Sequence, residues 1–267
     1  RHSMKKIILL SILFILSACT QQDSTPQVLP TLADPDAIAT GFVLTENAPP
    51  AGFETVSFPT INANLETLAG WRYQMFFSFN GVFARTPRQT SASAQAIVTY
   101  NQVASARRVE AIIDVDLEDD SEPIAFEGVR LGPDTFLLRD GQCASNTDQS
   151  TLLADLSAGN LLGGVHLATN AFRKEQINGQ EVWLYNFLAD DLILPNVRVG
   201  EEGRILSVIG EVWVAPEYNV VIRYNVTMEV ENALIFDQEL PISGTISLQY
   251  DLSEIGLVPN ISVPNGC

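Results

Sequence analysis

Histidine, lysine and cysteine are all scarce in this chain of 267 residues. His2 and His166 are its two histidines, which leaves little material for a histidine-based triad or a histidine-rich metal centre. Lysine occurs only as Lys5, Lys6 and Lys174. Basic residues total 15 against 32 carboxylates, a net charge of −17, and such a surface repels phosphates. Nucleic acid and anionic headgroups are therefore excluded as general partners. Long apolar runs are missing too. The longest, from Ile7 to Leu16, is about half of the roughly 20 residues a spanning helix needs. No Gly-x-Ser-x-Gly elbow, phosphate loop or dinucleotide fingerprint occurs. Gly159 to Gly164 has glycines, but no strand is expected before it and it holds no lysine. Neither a cofactor nor an enzymatic activity is expected.

What is present begins with an export pattern. The residues before Met4 are set aside as an N-terminal extension. Lys5-Lys6, the apolar run and Leu16-Ser17-Ala18-Cys19 then form a positive, apolar and small-residue series, as in a secretory signal over residues 1–18. Leu-Ser-Ala-Cys resembles the bacterial lipobox, which makes Cys19 the expected lipid anchor to a bacterial membrane. An ordinary signal peptide with an incidental cysteine is the alternative. Residues 19–50, rich in Gln, Ser, Thr, Pro, Asp and Ala, read as a flexible tether to a folded domain at 51–267. With Cys19 acylated, Cys143 and Cys267 remain, and in an oxidising compartment they most simply pair. Two free or intermolecular thiols are the alternative.

Within 51–267 the hydrophobic period is two. Trp71, Tyr73, Met75, Phe77, Phe79 and Phe83 alternate with polar residues, as do Val109 to Leu117, Trp183 to Phe187, Val220 to Val230 and Leu240 to Tyr250. Weaker strands fit Ser93–Tyr100, Pro123–Leu131, Thr135–Arg139, Ala171–Ile177 and Arg204–Ala215. That makes about ten strands with one dry and one wet face, the pattern of an antiparallel sheet. Asn178-Gly179, Asp140-Gly141 and the stretch Ala215 to Asn219 mark turns. Ile61 to Gly70 is expected to form a short helix. So is Ser150 to about Leu167, capped by Asp148 or Ser150 and weakened in its second half by Gly159, Gly163 and Gly164. One dry face with so little helix to cover it must curl.

Gly210-Glu-Val-Trp213-Val-Ala-Pro216, with Val221-Ile-Arg223-Tyr224, is similar to a strand-turn-strand of mycobacterial LppX/LprG-type lipoproteins. Ile177-Asn-Gly179-Gln-Glu-Val-Trp183-Leu-Tyr185 resembles the hairpin those proteins place earlier, after a leucine-containing helical segment. The resemblance covers roughly residues 60 to 250 and implies a LolA-like fold. That fold is mainly β (α+β), a single curved antiparallel sheet forming a half-barrel whose concave face is covered by one or two short helices. Members of the family hold acyl chains between sheet and helices and carry lipids or lipoproteins outside the membrane; related domains sense misplaced lipoproteins. The short, glycine-heavy helical segment and the terminal cysteine depart from the family.

The expected function is thus a membrane-anchored extracytoplasmic protein that binds a lipid or other apolar molecule. The candidate wall is Phe77, Phe79, Ile113, Phe126, Trp183, Tyr185, Trp213, Tyr224 and Met228, with Trp213 and Tyr224 foremost because they sit on the family-like strands. Wide rings and a flexible thioether suit a slot for a floppy chain. The competing expectation is that these residues pack as a closed core, leaving a sensor or scaffold domain for an envelope protein partner. A surface hydrolase is a third reading, disfavoured by the single histidine beyond the signal. The acidic series Asp114, Asp116, Glu118, Asp119, Asp120 and Glu122 lacks the glycine and the final glutamate of a calcium loop and reads as a solvated strand face.

Overall fold

Period-two segments this long can satisfy their backbone only by pairing with one another. The computed structural model describes residues 46–83, 88–116, 122–236 and 241–267, with Val115 and Asp116 in backbone only. The expected signal, Cys19 and most of the expected tether lie outside the described residues. A first strand, β1 (Thr55–Phe58), precedes a meander of β2 (Gly70–Phe83), β3 (Gln89–Asn101), β4 (Ala106–Asp116), β5 (Ile124–Leu131), β6 (Asp134–Arg139) and β7 (Gln142–Ser145). Two helices follow, α1 (Asp148–Ala154) and α2 (Ala158–Leu162). The second meander comprises β8 (Gly164–Ile177), β9 (Gln180–Asn186), β10 (Leu192–Ile193), β11 (Val197–Ala215), β12 (Val220–Ile235) and β13 (Ile242–Ser253).

All thirteen strands join one open antiparallel sheet, in the order β1-β8-β9-β11-β12-β13-β2-β3-β4-β5-β6-β7, with β10 beside β8. The long pairing of β13 with β2 welds the two meanders together. The chain leaves the first meander at the edge strand β7 and resumes at β8, next to the other edge. The helical segment between them must therefore cross a face, and it crosses the apolar one. The sheet is the half-barrel expected from the alternation and the hairpin motifs.

The same face is covered further by the chain entering β1 and β2. Phe58, Ile61, Leu65 and Leu68 are all buried there. Residues 47 and 48, assigned to the tether by composition, belong to the folded body, because their carbonyls accept from the Trp183 indole N–H at 3.2 Å. At its other end the chain crosses the convex side. Ile261 packs with Ala106 and Val129, and Cys267 is bonded to Cys143 on β7. The disulfide expected from cysteine arithmetic is present.

Several local expectations are corrected. Ile61 to Gly70 contains a single 3-10 turn, Leu65–Thr67, instead of a helix. Asn64 adopts a left-handed φ of 66° and donates to the Asn219 carbonyl at 2.7 Å, so this side chain secures a turn. The second helical segment ends at Leu162, not near Leu167, and is broken into two helices. Gly163 turns to a φ of 81°, and Gly164 starts β8 against the Phe58 carbonyl with no room for a Cβ. The cap of α1 is Thr147, with Ser150 as its partner three residues on, rather than Asp148 or Ser150. Strands β1, β7 and β10 are additional; β7 is mostly exposed and so shows no alternation.

Candidate functional site

Successive inward residues of the central strands line up in rows across the sheet. One row reads Tyr224, Tyr250, Met75, Ala96, Ala111, Phe126; the next, Val226, Leu248, Phe77, Ala94, Ile113; a third, Met228, Ile246, Phe79, Ala92. In each row β3 contributes an alanine. Alanine is a poor strand former, so local propensity is conceded there. The gain is space, because a methyl stands where its neighbours place rings and branched chains. Above these alanines lies a cavity of about 320 Å³, neither sealed nor flat. Leu153, Leu156, Leu161 and Leu162 of the helical segment roof it, while Phe83, Ile235, Phe236 and Ile242 form its far wall. The rings of Phe77 and Phe236 meet at 5.1 Å.

Among the described residues no ionisable side chain lines this space; its polar residues are Thr90, Ser93 and Gln95. Hydrocarbon dominates the surface, which suits an apolar guest. Several phenols are set into the neighbouring core, and Arg107 and Arg130 reach from the same face to the helical segment. Tyr73 accepts from the Ala158 N–H at 3.2 Å and from Arg107 at 3.3 Å. Burial raises its pKa, with the Arg107 charge opposing. The hydroxyls of Tyr224 and Tyr250 are buried without a hydrogen-bond partner. Burial pushes both above the ordinary phenol range, helped at Tyr250 by Tyr73 and Asp251. Tyr185 donates to the Phe53 carbonyl at 2.8 Å, and burial is the main reason its pKa reaches about 12. Among the described residues no three His, Cys, Asp or Glu side chains gather as a metal site. His166 is exposed on β8, and of the acidic series residues 117–121 lie outside the described residues.

The nine candidate wall residues divide. Phe77, Phe79, Ile113 and Phe126 line the cavity. Tyr224 and Met228 share the same face but are fully buried in close packing on β12. Trp183 and Tyr185 lie beneath the entering chain, pinned to it by the hydrogen bonds above. Trp213 pairs with Arg223 and so occupies the convex side, where the Arg173 guanidinium stands 5.2 Å from its ring centroid. The structure thus separates Trp213 and Tyr224, which the hairpin motifs place first, from the cavity. The residues that create the space, Ala92, Ala94, Ala96 and Ala111, were missed by a search for aromatic stripes. A signal for them exists in Ser91-Ala92-Ser93-Ala94-Gln95-Ala96, where the period of two persists while the inward residues shrink to methyls.

No family model matches the chain, and no curated protein matches it. Solved structures to which it is similar include LprF from Mycobacterium bovis, at 14% identity over 76% of this chain and 91% of that one, with a TM-score of 0.33. A LolA superfamily protein from Nitrosomonas europaea gives 10% identity over 76% and 93%, with a TM-score of 0.23. A DUF1329 family protein from Desulfovibrio piger gives 10% identity over 84% and 94%, with a TM-score of 0.21.

Proposed function

We propose that this chain binds a lipid or similar apolar molecule by its hydrocarbon part in the alanine-floored cavity, outside the cytoplasm, while held to a membrane through a lipid on Cys19. The observation that carries the reading is the cavity itself, about 320 Å³ walled by carbon and kept open by consecutive methyl-sized inward residues. Binding pockets for small molecules run from roughly 300 to 1,000 Å³, so the volume suits one small guest. A void lined by carbon forfeits dispersion contacts. One larger residue at Ala94 would recover them, and a chain whose only task was to fold would gain by it. The disulfide fits an oxidising compartment, and the lipobox supplies the anchor.

Native mass spectrometry and organic extraction of protein purified without detergent test the proposal. The expected result is a co-purifying apolar molecule that Ala94→Leu excludes. A wild-type chain with no such molecule, and no uptake of a fluorescent fatty-acid probe, would sink it. A scaffold role toward an envelope protein is the second reading, favoured by Leu188 and Ile209, 73% and 77% exposed. It expects a Leu188→Glu, Ile209→Glu double variant to lose a partner while keeping probe uptake. The unfilled interior speaks against it as the whole function.

A further inference from the structure

Burial along the cavity floor is graded. On β4 the inward residues pass from Val109 at 0% exposure through Ala111 at 5% to Ile113 at 36%, and beside Ile113 on β5, Ile124 is 40% exposed. On β3 the inward face passes from buried Val98 and Ala96 to half-buried Ala94 and Ala92 and closes again at Thr90, 5% exposed. The floor is sealed under the helices and again at Thr90, and it opens to water between them, beside Ile113 and Ile124.

The roof is tied down along its length. Arg130 grips Asp155 through hydrogen bonds of 2.7 and 2.5 Å, and Arg107 donates to the Leu156 carbonyl. The Ala158 N–H is held by Tyr73, and the Gly159 N–H donates to the Asn62 side chain at 2.6 Å. Asn196 donates to the carbonyls of Asn160 and Leu161 at 2.7 and 3.0 Å. Arg107, Arg130 and Tyr73 are neighbours on β4, β5 and β2, while Asn62 and Asn196 lie on the chain outside these strands. Lifting the helices would break all of these contacts together, and a guest arriving beside Ile113 and Ile124 breaks none.

Capacity follows from volume. An apolar cavity of about 150 Å³ accepts benzene, so about 320 Å³ accepts on the order of a dozen carbon atoms. The alanine floor is narrow, walled by Phe77 and Phe79 on one side and Ile113 and Phe126 on the other, which leaves width for one chain. The described lining carries no charge, so a charged or strongly hydrated head group would lose its water against it without compensation.

Resting on the reading of the cavity as an apolar site, we infer that it takes one unbranched acyl chain of about a dozen carbons. The chain enters tail first through a mouth at Ala94, Ile113 and Ile124, its head stays in water, and the helical roof remains shut. A free fatty acid and a single-chain lysolipid share this chemistry. A lipid inserting two chains does not.

The test follows uptake of a dodecanoyl chain labelled at its head with a dansyl group, by stopped-flow fluorescence on the whole folded chain. Ile113→Arg is expected to slow uptake about tenfold, with Ile124→Arg as a second mouth variant, while Arg130→Ala stays within about twofold. Dodecanoic acid and a dodecanoyl lysophospholipid compete, a diacyl phospholipid does not, and iodide still quenches the bound head label. Faster uptake in Arg130→Ala with no effect of either mouth variant would overturn the route. Equal competition by the diacyl lipid would overturn the single-chain capacity. Failure of the wild type to bind either the probe or dodecanoic acid would remove the apolar-ligand reading itself, a result distinct from the other two.

Discussion

Two halves of one sheet face meet along the pairing of β13 with β2, and they solve the same packing problem differently. On the β11–β13 side, Tyr224, Met228, Ile246 and Leu248 are essentially inaccessible to water, and the cavity is bordered at the far ends of β12 and β13, by Ile235 and Ile242. On the β2–β5 side the same rows continue into Ala92, Ala94, Ala96 and Ala111, and the space remains open. The closed half is held by packing density. The open half, with less packing to spend, is held by fasteners: the disulfide at its edge strand, the Arg130–Asp155 pair and the polar contacts of the roof. A site that must admit a guest cannot also use its own side chains to fill the room.

The largest expected effect separates the halves by pH. Tyr185, Tyr224 and Tyr250 lie on the concave side away from the cavity, and burial raises their pKa values above the ordinary 10.0. In the unfolded chain these phenols ionise near pH 10. A folded pKa above that means the native state keeps protons that the unfolded state has released. Stability is therefore whole below about pH 10 and falls as pH climbs through about 12, the value for Tyr185. Denaturant midpoints measured from pH 8 to 12, followed by phenolate absorbance, are expected to show ionisation of these tyrosines together with unfolding. Ionisation inside an intact fold would show that the closed half is not closed.

Next comes the staple of the open half. Cys143 and Cys267 are 124 residues apart, and the chain-entropy model assigns a loop of about 100 residues roughly 4–5 kcal/mol. Replacing both cysteines by serine is expected to lower unfolding free energy by about that amount in urea titrations. A loss well under about 1 kcal/mol would mean that packing, not the staple, holds this edge.

A pair of alanine enlargements sharpens the contrast. Ala233 on β12 is fully buried in the closed half, so Ala233→Leu overpacks and costs about 1–3 kcal/mol. Ala94→Leu adds the same atoms over the cavity, where they meet open space. It is expected to leave the thermal midpoint unchanged or raised while abolishing uptake of the fatty-acid probe. Equal destabilisation by both changes would erase the distinction between the halves.

The smallest effects concern single hydroxyls. Tyr250→Phe removes a buried group with no partner and is expected to be neutral or slightly stabilising. Tyr73→Phe removes the acceptor of the Ala158 N–H and of Arg107, and is expected to cost about 1–2 kcal/mol in the same titrations. Reversed signs would place the polar stress of the core at Tyr73 instead.

How far these features were legible in the sequence depends on their physical range. Alternation over Trp71 to Phe83 and Val220 to Val230 announces strands because the pleat repeats every two residues, whatever the partner. Asn178-Gly179 announces a hairpin because its φ values of 52° and 80° are local requirements. The turn at Leu65–Thr67 was not legible, since Asn64 is satisfied by the carbonyl of Asn219 on a distant loop. The same holds for the site. Phe77, Phe79, Ile113 and Phe126 could be named as inward, but so could Tyr224 and Met228, and inwardness is shared by core and cavity. Trp213 and Tyr224, near in sequence and on adjoining strands, fall on opposite sides of the sheet because each strand's phase is set separately.

By itself the sequence determined what is periodic or covalent: long strands with one dry face, their turns, the export pattern, and a pair of cysteines left to join. Only the tertiary structure decided where the dry face is filled and where it is not. Emptiness is a property of distance between side chains that meet from remote parts of the chain. A methyl on β3 becomes a floor only when β2, β4 and the helices stand around it.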